Sequence, residues 1–134
     1  MPSAVIAITG ASGSQYSVRL IEALVDADWD IFLTVTREGA INLKLECDIT
    51  PRELAERHGI RLEQNQNLAA KSASGSARFD AYVICPASGT TIGKIAAGIS
   101  DNLATRSAIV AMKERRKLII CLLYTSPSPR DTDL

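Results

Sequence analysis

Apolar and polar positions change period along the chain in a regular order. Ala4-Val5-Ile6-Ala7-Ile8 is an unbroken apolar run of strand length, the pattern of a parallel strand covered on both faces. From Ser14 to about Ala27, Val18, Ile21, Leu24 and Val25 recur at helical spacing. Ile31-Phe32-Leu33-Thr34-Val35-Thr36 reads as a second strand. A crossover long enough to hold a helix predicts parallel strands joined with a right-handed connection. Residues 37–47 read as a second helix, with Ala40, Ile41, Leu43 and Leu45 grouped and Glu46 near its end. Thr50-Pro51-Arg52-Glu53 is a helix start: a capping Thr, Pro at the first helical position and Glu three residues after the cap. Gly59 should stop that helix. Residues 60–79, rich in Asn, Gln, Ser and Gly, predict a loop with one short strand. Ala81-Tyr82-Val83-Ile84-Cys85 is the next buried strand, closed by Pro86. Gly89 to Ile99 predicts a helix with Ile92, Ile95, Ala96 and Ile99 on one face. Asp101 or Asn102 can cap another helix, to about Glu114, and Lys117–Ile120 begins a further strand. No internal repeat interrupts the order. The alternation specifies an α/β fold with a doubly wound parallel sheet.

With 134 residues the chain suits one domain. Fifteen Lys and Arg against fifteen Asp and Glu give no net charge, which removes the electrostatic footprint of a general nucleic-acid binder. No apolar run approaches the ~20 residues that cross a bilayer, and no export signal precedes the first strand. Cys47, Cys85 and Cys121 lie far apart without a CxxC spacing, so neither a zinc site nor a disulfide framework is expected, and the cytoplasm is the expected compartment.

Candidate chemistry gathers in two turns. Thr9-Gly10-Ala11-Ser12-Gly13 joins a buried strand to a helix, where glycines admit a ligand to the backbone and the helix offers free N–H groups. A phosphate is the natural guest; a tight turn without a ligand is the other reading. The turn lacks both the G-x-G-x-x-G order and the GK[ST] ending. Pro86-Ala87-Ser88-Gly89-Thr90-Thr91 repeats the theme after a second strand, either as an ordinary cap by Ser88 or as a polar cradle. Two such turns on neighbouring strands point to one shared ligand at the carboxyl edge, within reach of Thr36. Arg106 and Lys113 stand seven residues apart, about 20° apart in helical projection, as snorkelling cations or a second anion site. Glu46 alone reads as a surface carboxylate.

Taken together, residues 8–24 (ITGASGSQYSVRLIEAL), Ser74-Gly75-Ser76, residues 83–88 (VICPAS), Asp101-Asn102-Leu103, Arg106 and residues 113–118 (KERRKL) resemble the UbiX/phenylacrylic acid decarboxylase family of flavin prenyltransferases, over about residues 4–120. The resemblance implies a Rossmann-like flavoprotein three-layer sandwich, incomplete at its C-terminal end, with FMN as cofactor and no metal. It implies flavin contacts from Gly10, Ala11, Ser12, Thr36, Ser88, Gly89, Thr90 and Thr91. It assigns proton handling to Ser12 and Glu46, and the donor phosphate to Ser74, Arg106 and Lys113. The implied reaction moves a dimethylallyl group from its monophosphate to reduced FMN, making prenylated FMN for a separate partner decarboxylase, as in ubiquinone biosynthesis. A large homo-oligomer with the flavin between subunits is implied too. A flavin-dependent cysteine decarboxylase and a non-catalytic FMN-binding subunit are the alternatives; the lack of a His before His58 argues against the first.

Two departures stand out. Ile109 replaces the family's usual Asp, and an Arg-Glu-x-Pro segment with the later Tyr and Arg does not follow Ile120. Residues 121–134 instead resemble the in-frame translation of a sequencing adaptor. On that reading residues 1–120 are the N-terminal portion of an FMN-binding domain and 121–134 a non-native tail.

Overall fold

A computed structural model describes residues 1–122 of the chain. The expected adaptor-like tail, apart from Cys121 and Leu122, lies outside the described residues. Five strands, β1 (Ser3–Ile8), β2 (Asp30–Val35), β3 (Arg61–Leu62), β4 (Ala81–Ile84) and β5 (Leu118–Ile120), form one sheet in the order β3-β2-β1-β4-β5. All its pairings are parallel, and Ser3 to Ile8 align with Asp30 to Val35. The helices are α1 (Ser14–Asp26), α2 (Arg37–Cys47), α3 (Pro51–His58), α4 (Gly89–Ala97) and α5 (Leu103–Lys113). Among the described residues no helix is long and apolar enough to cross a membrane.

The two-sided burial of the strands explains their unbroken apolar runs. Ala4, Ile6 and Ile8 of β1 join Ile31 and Leu33 of β2 and Ala81 and Val83 of β4 on one face, packed with Ile21, Leu43, Ile49 and Leu54. Ala7 and Ile84 point the other way, onto Ile95 of α4 and Ala104 and Ala108 of α5. Val5, Phe32, Phe79, Tyr82 and Ala111 complete that second face. Successive strand residues therefore serve opposite helical layers, which makes a three-layer Rossmann-like α/β sandwich.

Local signals placed the helix ends as expected. Thr50 and Glu53 form the reciprocal capping box at α3, which ends at Gly59. Asn102, rather than Asp101, caps α5 and accepts from Thr105 N–H at 2.8 Å. The α4 stripe is shorter than its spacing predicted. Ile95 is buried, but Ala96 and Ile99 are exposed, because the chain leaves helical geometry at Gly98. In α2 only Leu43 of the apolar group is fully buried, and Ile41 and Leu45 face outward.

Candidate active site

In a parallel sheet the crevice opens where neighbouring strands send their crossovers to opposite faces. That point here lies between β1 and β4, so the two turns read from the sequence become neighbours. Thr9, wholly buried, stitches them together. Its hydroxyl donates to the Pro86 carbonyl at 2.6 Å and accepts from the Ser88 N–H at 2.8 Å, and its own N–H donates to the same carbonyl at 3.3 Å. Ser17 adds a hydrogen bond from its hydroxyl to the Cys85 carbonyl.

A cleft of about 350 Å³ opens beside this stitch, lined by Gly10, Thr36, Glu38, Ser88, Thr90, Thr91, Lys94 and Asn102. Five residues expected to meet a cofactor thus line one space: Gly10, Thr36, Ser88, Thr90 and Thr91. Ala11, Ser12 and Gly89 belong to the same turns but are not among its lining residues. Gly10 is required by crowding, since a Cβ there would overlap the Glu38 Cβ. Thr36 caps α2 by accepting from Gly39 N–H at 3.0 Å. Ser88 caps α4, accepting from Thr91 N–H at 3.1 Å and donating to the Thr91 hydroxyl at 2.8 Å.

The helix termini around the cleft differ in what they leave open. Helix α1 has no cap of its own, because Gly13 at its N-cap, held at φ 117°, offers no side chain. The Glu46 carboxylate from α2 fills that role, accepting from Ser14 N–H at 2.9 Å and from Gly13 N–H at 3.2 Å. This corrects the expectation of a phosphate at α1: the seat already holds an anion. Helix α5 is closed too, by Asn65, whose backbone and side-chain oxygens accept from Leu103 and Ala104, and by Asn102. By contrast, no hydrogen bond among the described residues engages the N–H groups of Arg37 and Glu38 at the start of α2, or of Gly89 and Thr90 at the start of α4. Both helices begin at the cleft, where their aligned dipoles favour an anion.

Glu46 is exposed at the surface. Partial burial pulls its pKa upward, but the donors of Ser14 and Gly13 outweigh this and hold the carboxyl below the usual glutamate range. A lowered carboxyl pKa adds stability above the unfolded-state value and loses it as the pH falls through the folded value. Glu46→Gln should therefore remove part of the acid-side loss of stability, leaving a flatter melting-temperature profile between about pH 3 and 6 than the parent's. Parallel profiles would show that the cap is not felt as a charge. Burial pushes the Cys85 thiol up to about 11, so it is a neutral core group near pH 7.

Of the expected phosphate-holding residues, Arg106 and Lys113 lie on α5 and Ser74 in the loop beside its far end. Arg106 stands in its first turn near the cleft, with its Nε buried and without a partner among the described residues. Lys113 ends the helix and is exposed. Ser74 pairs with Ser76 at 2.8 Å, in a loop where Gly75 abuts Glu114 and Arg116 donates to the Gly75 and Ala77 carbonyls. Within one protomer, Ser74 and Lys113 thus sit at the far end of α5 from the cleft, about 15 Å along the helix.

Sequence reasoning missed Glu38, Lys94 and Asn102 as lining residues and the stitching role of Thr9. Lys94 follows Thr90 by four residues and Thr91 by three, so each pair is neighbouring on the helix surface, a signal for a shared face that was there to be read.

The flavoprotein family profile matches residues 2–129. The chain is 40% identical over 135 residues to the flavin prenyltransferase LpdB of Lactiplantibacillus plantarum, an alignment covering 100% of this chain and 68% of that one. It spans 62–64% of the length of three further flavin prenyltransferase relatives. Among solved structures, AnUbiX in complex with FMN and dimethylallyl pyrophosphate superposes with a TM-score of 0.88 at 28% identity, covering 98% of this chain and 70% of that one. A dodecameric FMN-dependent UbiX-like decarboxylase from Escherichia coli O157:H7 gives 0.87 at 28%, covering 98% and 72%.

Proposed function

We propose, from the premise that this chain belongs to the flavoprotein family and within it to the flavin prenyltransferases, that its cleft holds FMN for prenyl transfer. The observation carrying the reading is the convergence of Gly10, Thr36, Ser88, Thr90 and Thr91 on one cleft, beside four unengaged amides at the starts of α2 and α4. Donors without acceptors, short hydroxyl side chains and a glycine with no room for a Cβ fit a phosphate-bearing planar cofactor brought close to the backbone. FMN, when bound and reduced, supplies the electron-rich ring that takes up the dimethylallyl group.

The chain's own residues do the rest. The hydroxyls of Thr36 and Ser88 and the α2 and α4 amides orient the cofactor. Arg106, Lys113 and Ser74 hold the donor's phosphate, and cations there stabilise its departure without a metal. The unpartnered Nε of Arg106 is a donor awaiting such an acceptor. Glu46, kept ionised by the Gly13 and Ser14 amides, is the base that removes the ring-closing proton, and Ser12, next in sequence to Gly13, shares the proton handling.

Because Ser74 and Lys113 lie a helix length from the cleft of their own protomer, the reading includes a homo-oligomer in which one copy's α5 completes another's site. The outward Ile41 and Leu45, 50% and 78% exposed, supply an apolar surface for such contacts. The wider proposal keeps dimethylallyl monophosphate as donor, a prenylated-FMN-dependent decarboxylase as recipient, the cytoplasm as location, and residues 1–120 as the flavin-domain portion.

Anaerobic mixing with reduced FMN and dimethylallyl monophosphate tests it: the flavin absorption should change over turnover. In Glu46→Gln the change should slow by roughly 10²-fold or more while FMN affinity is kept. Binding without any spectral change removes prenyl transfer and leaves a flavin-binding protein.

A further inference from the structure

Two charged side chains line the cleft, Glu38 and Lys94. A flavin phosphate adds up to two negative charges to a space that already has one carboxylate, and the unengaged amides contribute only partial charges. The cleft therefore needs a full positive charge, and Lys94 is the cation its lining provides.

The position of Lys94 is built rather than incidental. It lies on α4 one turn beyond Thr90 and Thr91, and all three residues line the cleft. Its ammonium sits between the two Asp101 carboxylate oxygens at 3.2 and 3.1 Å. Asp101 belongs to the short connection into α5, next to Asn102, which itself lines the cleft. The Lys94 side chain is 32% exposed and that of Asp101 55%, so the pair is wet on the aspartate side. Exposed pairs of this kind hold weakly and exchange partners readily. A phosphate against the α2 and α4 termini would meet the lysine with three acceptor oxygens in a more enclosed place, where charge-assisted hydrogen bonds are stronger.

We infer that Lys94 is the counter-charge for the cofactor phosphate, parked on Asp101 in the free protein and transferred to the phosphate on binding. The inference rests on the FMN reading above and extends it to a residue outside the two turns. Asp101 is then a competitor for the lysine, so removing its charge favours the bound state.

Fluorescence titrations of the apoprotein with FMN and with riboflavin, which lacks the phosphate, separate the possibilities. The parent should prefer FMN. Lys94→Gln should weaken FMN about tenfold to hundredfold and leave riboflavin unchanged, and Lys94→Arg should restore most of the preference. Asp101→Asn should tighten FMN two- to fivefold, roughly the release of a weak surface pair, with no effect on riboflavin. Equal weakening of both flavins in Lys94→Gln, or no weakening of either, overturns the inference and leaves the cofactor reading standing. A parent that binds neither flavin overturns both.

Discussion

Replacing Gly39 by alanine should lower the melting temperature by roughly 10 °C, about 3 kcal/mol for a domain of this size. A Cβ at this buried position would overlap the Ile8 carbonyl oxygen, stand 2.9 Å from its carbon and 3.0 Å from the Thr36 hydroxyl. None of these can yield cheaply. Ile8 is fully buried at the end of the central strand, its carbonyl already accepts from Thr36 N–H at 3.0 Å, and Thr36 caps the helix that would have to move. Lifting α2 from β1 would expose Leu43 and open the cleft at Thr36 and Glu38. Gly93→Ala is the matched control: its Cβ meets nothing within 4 Å, so the gain in helix propensity should leave stability unchanged or raised by up to about 1 kcal/mol. Circular-dichroism melts of both variants decide the matter. A Gly39→Ala protein melting within a degree or two of the parent would mean that α2 is not seated on Ile8 as described.

Thr9→Val should cost both stability and flavin affinity, and Thr9→Ser should recover most of each. Valine keeps the shape of threonine but removes the hydroxyl that joins the two turns, stranding the Ser88 N–H and stripping the Pro86 carbonyl of its shorter hydrogen bond. Leaving such groups unpaired in a buried site costs about 1–3 kcal/mol. Ser88 also caps α4 and lines the cleft, so its displacement from the geometry that meets the cofactor should weaken FMN about tenfold, a cost borne by the bound state beyond that of the free one. Urea unfolding and FMN titration of the three proteins provide the comparison. Lost stability with unaltered affinity would show that the two turns are held in place by something other than Thr9.

The architecture was legible because its signals are local and mutually consistent. Apolar runs in β1, β2 and β4 announced strands covered on both faces, and Thr50-Pro51-Arg52-Glu53 spelled out the start of α3. The exposure of Ile99 was harder to foresee: periodicity carries through Gly98, but the left-handed turn there does not. Nearness of the two turns followed from topology, so the cleft could be anticipated at Gly10, Thr36 and Ser88. What joins or fills its parts could not. Glu46 reaches α1 across 32 residues and Thr9 reaches Ser88 across 79, contacts that no spacing rule encodes. A lone carboxylate at a helix end looks like a solvated side chain until the fold sets it over another helix's amides. The family resemblance supplied roles for Ser74, Arg106 and Lys113, whereas the distance of Ser74 and Lys113 from the cleft emerges only once α5 has a direction relative to the sheet.

The Thr9 stitch also bears on what recognition costs. Its hydroxyl and N–H join the two turns that flank the cleft through bonds internal to the chain, so the fold itself sets the spacing of these rims. A guest of fitting shape and charge would then bind without the cost of bringing the two turns together, as with a keyhole cut in advance.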